Sequence, residues 1–184
     1  MSIATFPAIK DWYSAMRIPT FDTLVVNYGN AVEQRLAKNS TVRYKFQLQW
    51  GALSDFDEAR QIEDFFILMK GNLTAFFFVC MPEAYGGSIW AAEQEYSFGN
   101  IVRPPIPNGH SYICTEPGTS SSSEPLWPTI SRDTVVDGEV TWEENSYCVR
   151  FADDLLNFEY FCYALYKLQQ VNLIQVAECE EQGE

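Results

Sequence analysis

Residues 42–50, VRYKFQLQW, alternate without a break. Val42, Tyr44, Phe46, Leu48 and Trp50 fall on one side, and Arg43, Lys45, Gln47 and Gln49 on the other. Side chains along a strand point to opposite faces in turn, so this pattern demands an antiparallel strand with one buried and one wet face. A helix cannot satisfy a period of two. Such a strand also needs neighbours on its edges and an apolar layer against one side. The rest of the chain has to supply both.

The flanks do so. TLVVNYGN (23–30) is a β-branched run ending in Gly29-Asn30, a dipeptide suited to a tight turn. After Gly51 the period changes. Ser54, followed by Asp57 and Glu58, predicts a helix start, because a hydroxyl caps free amides and acids favour the positive end of the dipole. Phe56, Ala59, Ile62, Phe65, Phe66 and Met69 then recur at helical spacing, and Gly71 predicts the stop. LTAFFFVC (73–80) returns to strand, apolar enough for burial on both sides. Later, YCVRF (147–151) reads as a strand and Asp153-Asp154 as a turn. FEYFCYALYKLQQV (158–171) reads as one long strand with Phe158, Tyr160, Cys162, Ala164, Tyr166 and Leu168 on one face, and VNLIQV (171–176) as a last strand before a frayed acidic end.

Between the two halves the grammar differs. Residues 88–144 hold most of the prolines and glycines and no helical period. A turn at Gly99-Asn100 feeds a strand, Asn108-Gly109 opens HSYICT, Ser120–Ser123 is a loop, and Asp137-Gly138 turns VV into EVTW. Three or four short strands in 57 residues make a small all-β unit. The expected organisation is therefore mainly β, with one helix: a host of residues 1–84 plus 146–184, interrupted by an inserted β module at 85–145.

Composition narrows the function. Hydrophobic residues at 47% and aromatics at 15% suffice for a packed core. No apolar run approaches the roughly 18 residues that span a bilayer, so no membrane insertion is expected, and the start lacks the basic and apolar regions of a secretory signal. The net charge of −13 argues against binding nucleic acid, which needs surplus lysine and arginine. The acid is unevenly spread: residues 1–80 balance 8 basic against 8 acidic groups, while 81–148 hold 2 against 10 and 149–184 hold 2 against 7. Five cysteines without CxxC spacing, and the single histidine His110, are poor material for a metal site or disulfide framework. Five reduced structural thiols are expected, consistent with synthesis in a cytoplasm. No cofactor, metal ligand or catalytic residue is assigned. His110 has no nameable acid–base partner, the serine run lacks a GxSxG context, and the scattered acids offer no carboxylate pair.

VVNYGNAVEQR, the alternating strand and SDFDEARQIEDFFILMKGNLTAFFF together resemble the distal tail proteins of tailed bacteriophages and gene-transfer agents, and are similar to the lambdoid minor tail protein M group. The resemblance runs through Gly29, Glu33, Gln34 and Arg35, then Phe65, Phe66, Lys70 and Gly71, and finally Val149, Arg150 and Phe151. The inserted piece resembles a short module of phage tail and tail-tip proteins, and its opening W…Y..GN.V is similar to small chitin-binding modules. The first resemblance implies a β-sandwich or barrel-like fold with one helix. It also implies a homo-oligomeric ring, usually of six copies, at the distal end of the tail tube, connecting the tube to the baseplate hub or tip of the virion. Glu33, Arg35 and Arg150 are the candidate subunit-interface residues. Trp90, Trp127, Trp142 and Tyr112 are the candidates for contacting a host-surface glycan, with Trp127, between two prolines, the best placed for exposure. The alternative function is accordingly an adsorption module on the tail tip, where a ring could raise weak avidity by roughly 100- to 10,000-fold. For the tryptophans the plainer alternative is core, since a unit this small has little else to bury.

Overall fold

The alternating segment sits where its pattern requires. In the computed structural model β4 (Arg43–Trp50) is flanked on both edges: by β1 (Trp12–Thr20), with Thr20 opposite Arg43 and Trp12 opposite Trp50, and by β17 (Val171–Gln175). The structure describes residues 3–7, 9, 12–28, 32–39, 41–50, 52–53, 56–80, 86–161, 165–168, 170–177 and 179. The readings of Gly29-Asn30, the Ser54 cap, Cys162 and the acidic end lie outside the described residues, as do the side chains of Phe56, Asp57 and residues 159–168.

The chain divides into two units, Pro7–Ala75 with Val149–Glu184, and Met1–Phe6 with Phe76–Cys148. Both are built mainly of strands, and α1 (Phe56–Leu68) is the one helix among the described residues. The strand orders are open, with no barrel closure.

In the first unit, β1, β4, β17 and the C-terminal half of β14 (Ser146–Phe151) lie side by side in that order, all antiparallel. The period of two does its work here. Phe46 and Leu48 are buried opposite Leu173 and Val171, and Phe151 lies opposite Leu173, while Lys45 and Gln49 face water. The helix buries Ala59, Ile62 and Phe65, with the rings of Phe65 and Phe66 against Phe151 at 6.2 and 4.9 Å. Its stop differs from the expected lone glycine. Lys70 N donates to Ile67 O at 3.0 Å and Gly71 N to Phe66 O at 3.1 Å, the paired bonds of a Schellman ending. Lys70 is the first left-handed residue (φ 54°), with Gly71 (φ 63°) following.

Three elements of this unit depart from the reading of the sequence. β1 was not foreseen. β3 (Val32–Ala37), also unforeseen, closes a hairpin with β2 (Thr23–Tyr28). The long strand expected over 158–171 is instead a hairpin of β15 (Phe158–Phe161) and β16 (Leu165–Leu168), with β16 also pairing β5 (Ala52–Leu53). An unbroken aromatic run conceals a reversal when no glycine or proline marks it.

In the second unit, β6 (Phe76–Val79) buries Phe76 and Phe78 completely but Phe77 and Val79 only in part, so one face is enclosed rather than two. Residues 4–6 run beside it: Phe6 N donates to Phe77 O at 2.7 Å, and the Phe6 ring stacks on Phe76 and meets Phe78 edge-on. The rest of the unit holds seven short strands rather than three or four. These are β7 (Ser88–Ile89), β8 (Glu95–Tyr96), β9 (Ile101–Arg103), β10 (Tyr112–Glu116), β11 (Gly118–Thr119), β12 (Thr134–Asp137) and β13 (Val140–Glu144). They form a sheet of order β12-β13-β10-β9-β7 and a pair β11-β8. The turns at Gly99, Gly109 and Gly138 fall where the sequence places them, each glycine with positive φ.

Cys80 and Cys114 are buried and outside any disulfide, but Cys148 and Cys179 are both disulfide-bonded. The expectation of five reduced thiols is therefore corrected: spacing along the chain carries no information about which cysteines meet in space. Among the described residues, no helix is long and apolar enough to cross a membrane.

Gly71 gives a test of the helix ending. A Cβ there would meet Asp154 Oδ1 at 2.6 Å, and that carboxylate already accepts from Asn72 N. Gly71→Ala should lower stability by at least about 1–2 kcal/mol, the left-handed penalty alone, whereas Lys70→Gly should raise it. Urea unfolding midpoints moving in opposite directions would verify the assignment.

Candidate functional site

Two places could serve a function: the β2–β3 hairpin, and the tryptophan-rich interior of the second unit. In the hairpin, Leu24 pairs with Leu36, Val26 with Gln34 and Tyr28 with Val32, all on one face. Val25 opposite Arg35 and Asn27 opposite Glu33 occupy the other. The hairpin is thus amphipathic, yet every residue of both strands is exposed. Leu36, Val32 and Tyr28 on its apolar face are 62%, 57% and 53% exposed. Tyr28 Oη donates to Gln34 Oε1 at 3.0 Å, so even the polar residue on this face is tied down.

The candidate interface residues separate. Glu33 and Arg35 meet on the polar face, Nη2 to Oε2 at 2.8 Å, both exposed, a pair worth about 0–1 kcal/mol. Arg150 lies elsewhere, half-buried on β14 with Nη1 3.5 Å from Asn72 O, just past the helix. The apolar residues beside Glu33 and Arg35 escaped notice, because β3 was not recognised as a strand and the register that puts Leu36 opposite Leu24 could not be drawn.

In the second unit the four glycan candidates do not form a platform. Trp142 and Tyr112 are fully enclosed and Trp90 is 8% exposed. With Tyr96, Val102, Cys114 and Val140 they are the core itself. A ring with no free face cannot stack on a sugar, so for Trp90, Trp142 and Tyr112 the glycan role is corrected to packing. Trp127 is half-buried, its ring 4.3 Å from Tyr112 and its Nε1 donating to Glu124 Oε1 at 2.8 Å.

Two buried carboxylates organise this core, both missed in the sequence. Asp137, read as one half of a turn, points inward. Its Oδ2 accepts from Trp90 Nε1 at 2.8 Å and Trp142 Nε1 at 3.1 Å, and its Oδ1 from Ser121 N and Oγ at 3.0 and 2.7 Å. Burial pushes the carboxyl pKa up, but the bonds from Ser121, Trp90 and Trp142 outweigh it and hold the pKa below the ordinary 3.8. Ser121 belongs to the serine loop, whose neighbour Ser120 is buried and bonds Ala91 O through Oγ at 2.8 Å. The second carboxylate, Glu144, is fully buried. It accepts from Arg132 N at 3.0 Å and lies 2.8 Å from His110 Nδ1. His110 thus has the acidic partner that sequence could not name, 34 residues away. Among the described residues no hydroxyl or thiol is hydrogen-bonded to its ring, so the pair positions loops and has no nucleophile to activate. Tyr112 lies beside it. Its hydroxyl donates to Pro128 O at 2.8 Å and accepts from Asn108 Nδ2 at 2.8 Å. Burial, opposed by the Asn108 bond and assisted by Glu144, pushes the phenol pKa up to about 12.

Among the described residues no group of three or more His, Cys, Asp or Glu is placed to hold a metal ion. Compared with known protein families and with curated proteins, the chain matches none.

Asp137 yields a prediction with a definite sign. A carboxyl whose folded pKa is depressed stabilises the fold fully above its unfolded value and loses that contribution as pH falls through the folded pKa. The tryptophan near-ultraviolet circular dichroism signal should therefore weaken below about pH 4. In Asp137→Asn that acid step should shrink, and Asp137→Ala, which strands two buried indole N–H groups at about 1–3 kcal/mol each, should lose the signal at much lower urea.

Proposed function

We propose that this chain is a structural protein of a bacteriophage tail, forming a homo-oligomeric ring at the distal end of the tail tube and linking tube to baseplate hub or tip. The observation that carries the reading is the exposed apolar face of the β2–β3 hairpin, Leu24, Val26, Tyr28, Val32 and Leu36. A two-stranded hairpin is at best marginally stable alone in water, so a face of this kind is accounted for by a partner that covers it. The hairpin also carries Glu33, Gln34 and Arg35, part of the resemblance to distal tail proteins. A second copy of the chain is the simplest partner.

Magnitudes favour a closed ring over a dimer. Each large apolar side chain contributes at most about 1.5–3 kcal/mol on full burial. Five of them barely offset the roughly 4–15 kcal/mol that association costs. In a ring every copy both offers its hairpin and receives one, so contacts are doubled and closure adds to them. The reading needs no catalytic step, and the acidic surplus of the chain fits a component that does not hold nucleic acid. The glycan-adsorption alternative now rests on Trp127 alone and is not favoured.

Native mass spectrometry tests the proposal. The wild-type chain is expected as a closed multimer, six copies by the family resemblance. Val26→Asp with Leu36→Asp is expected as single copies with unchanged near-ultraviolet circular dichroism. A wild-type chain that stays monomeric at high concentration, or a doubly charged hairpin that assembles equally well, contradicts it.

A further inference from the structure

Asn108 is the only asparagine in the chain followed by glycine, and the structure gives that dipeptide an unusual setting. It is exposed on the connection between β9 and β10, and Gly109 has φ 85°. Asn108 Oδ1 accepts the backbone N–H of His110 at 3.1 Å. That bond folds the carboxamide forward over the chain's next peptide, towards the Gly109 nitrogen, and polarises its carbonyl. Gly109 has no Cβ to obstruct the approach. Nδ2 meanwhile donates to Tyr112 Oη at 2.8 Å, which fixes the amide's orientation.

We propose that Asn108 is a site of spontaneous deamidation, and that its conversion loosens the loop carrying Trp127. The Gly109 amide nitrogen attacks Asn108 Cγ and closes a five-membered imide. The Cγ–Nδ2 bond breaks, and the nitrogen leaves as ammonia with the proton given up by Gly109. Water then opens the imide at one carbonyl or the other, leaving aspartate or isoaspartate. No electron is transferred, and water is the one co-reactant. Holding reacting atoms together in this way is a recognised source of acceleration.

The other asparagines lack the combination. Asn100 Oδ1 accepts from Ser97 N, a bond that turns its carboxamide back along the chain, and Asn100 precedes an isoleucine. Asn145 is buried and precedes a serine.

The consequence follows from the hydrogen bonds. Tyr112 Oη already donates to Pro128 O, so it needs a donor from residue 108. An amide supplies one and a carboxylate cannot. Aspartate at 108 therefore sets an acceptor against an acceptor, and adds a second negative charge beside buried Glu144. The weakened contact is the one that holds Pro128, next to Trp127.

The test incubates the full chain at mildly alkaline pH, folded and urea-unfolded, and follows each asparagine by peptide mapping with isoaspartate detection. Conversion is expected at Asn108 ahead of every other asparagine, and at least as fast folded as unfolded. Conversion led by another residue, or an Asn108 that the fold protects, overturns the site. Asn108→Asp reads the consequence: amide exchange over residues 124–131 should quicken, while exchange in β13 stays slow. Unchanged exchange over 124–131 overturns the loosening.

Discussion

A strand with apolar residues at every second position must have something against that side, and this one requirement accounts for most of the molecule. In β4 it is met from within, by Val171, Leu173 and Phe151 on neighbouring strands and by the helix residues Ile62 and Phe65 in the same core. In β10 and β13 it is met by Trp90 and Tyr96 closing over Tyr112, Cys114, Val140 and Trp142. In β2 and β3 it is not met among the described residues, and the same alternation that buries β4 leaves five large side chains in water. Physics that explains the first two cases makes the third the place to look for function.

The second unit shows how a small module reaches a defined core. Its aromatic load alone would collapse without a unique arrangement, because indoles pack in many ways. Asp137 selects one. By accepting from two indole nitrogens and from the serine loop at once, it places Trp90 and Trp142 at fixed points and ties the β12–β13 turn to residues 120–121. The close fit at that turn is severe: a Cβ on Gly138 would lie 2.6 Å from Thr119 O. Glu144 does the same at the other end, gathering His110 and Arg132. A buried carboxylate is costly unless every lone pair is used, and here donors converge on both.

Where local pattern decides structure, the sequence was legible. The alternation of β4, the helical spacing of Ala59, Ile62, Phe65 and Met69, and the turns at Gly99 and Gly138 all follow from short-range rules. β1 was lost because WYSAMRIPT mixes polar and apolar residues without a clean period and contains Pro19; its pairing with β4 is a tertiary fact. VEQRLA was lost because Glu33, Gln34 and Arg35 mask Val32 and Leu36. In the second unit the tryptophans could be named but not sorted. Whether an indole packs or faces water depends on partners such as Asp137, which lies 47 residues from Trp90.

The two carboxylates and the hairpin play complementary parts in the proposed ring: one unit completes itself with internal hydrogen bonds, and the other presents a surface that a sister copy completes. That division of labour is the central claim, and amide hydrogen exchange across residues 23–37 at two protein concentrations tests it most directly. The account predicts slow exchange in concentrated protein, comparable with β4, that quickens on dilution as copies separate. Exchange that is rapid at both concentrations, or slow and indifferent to dilution, would contradict it.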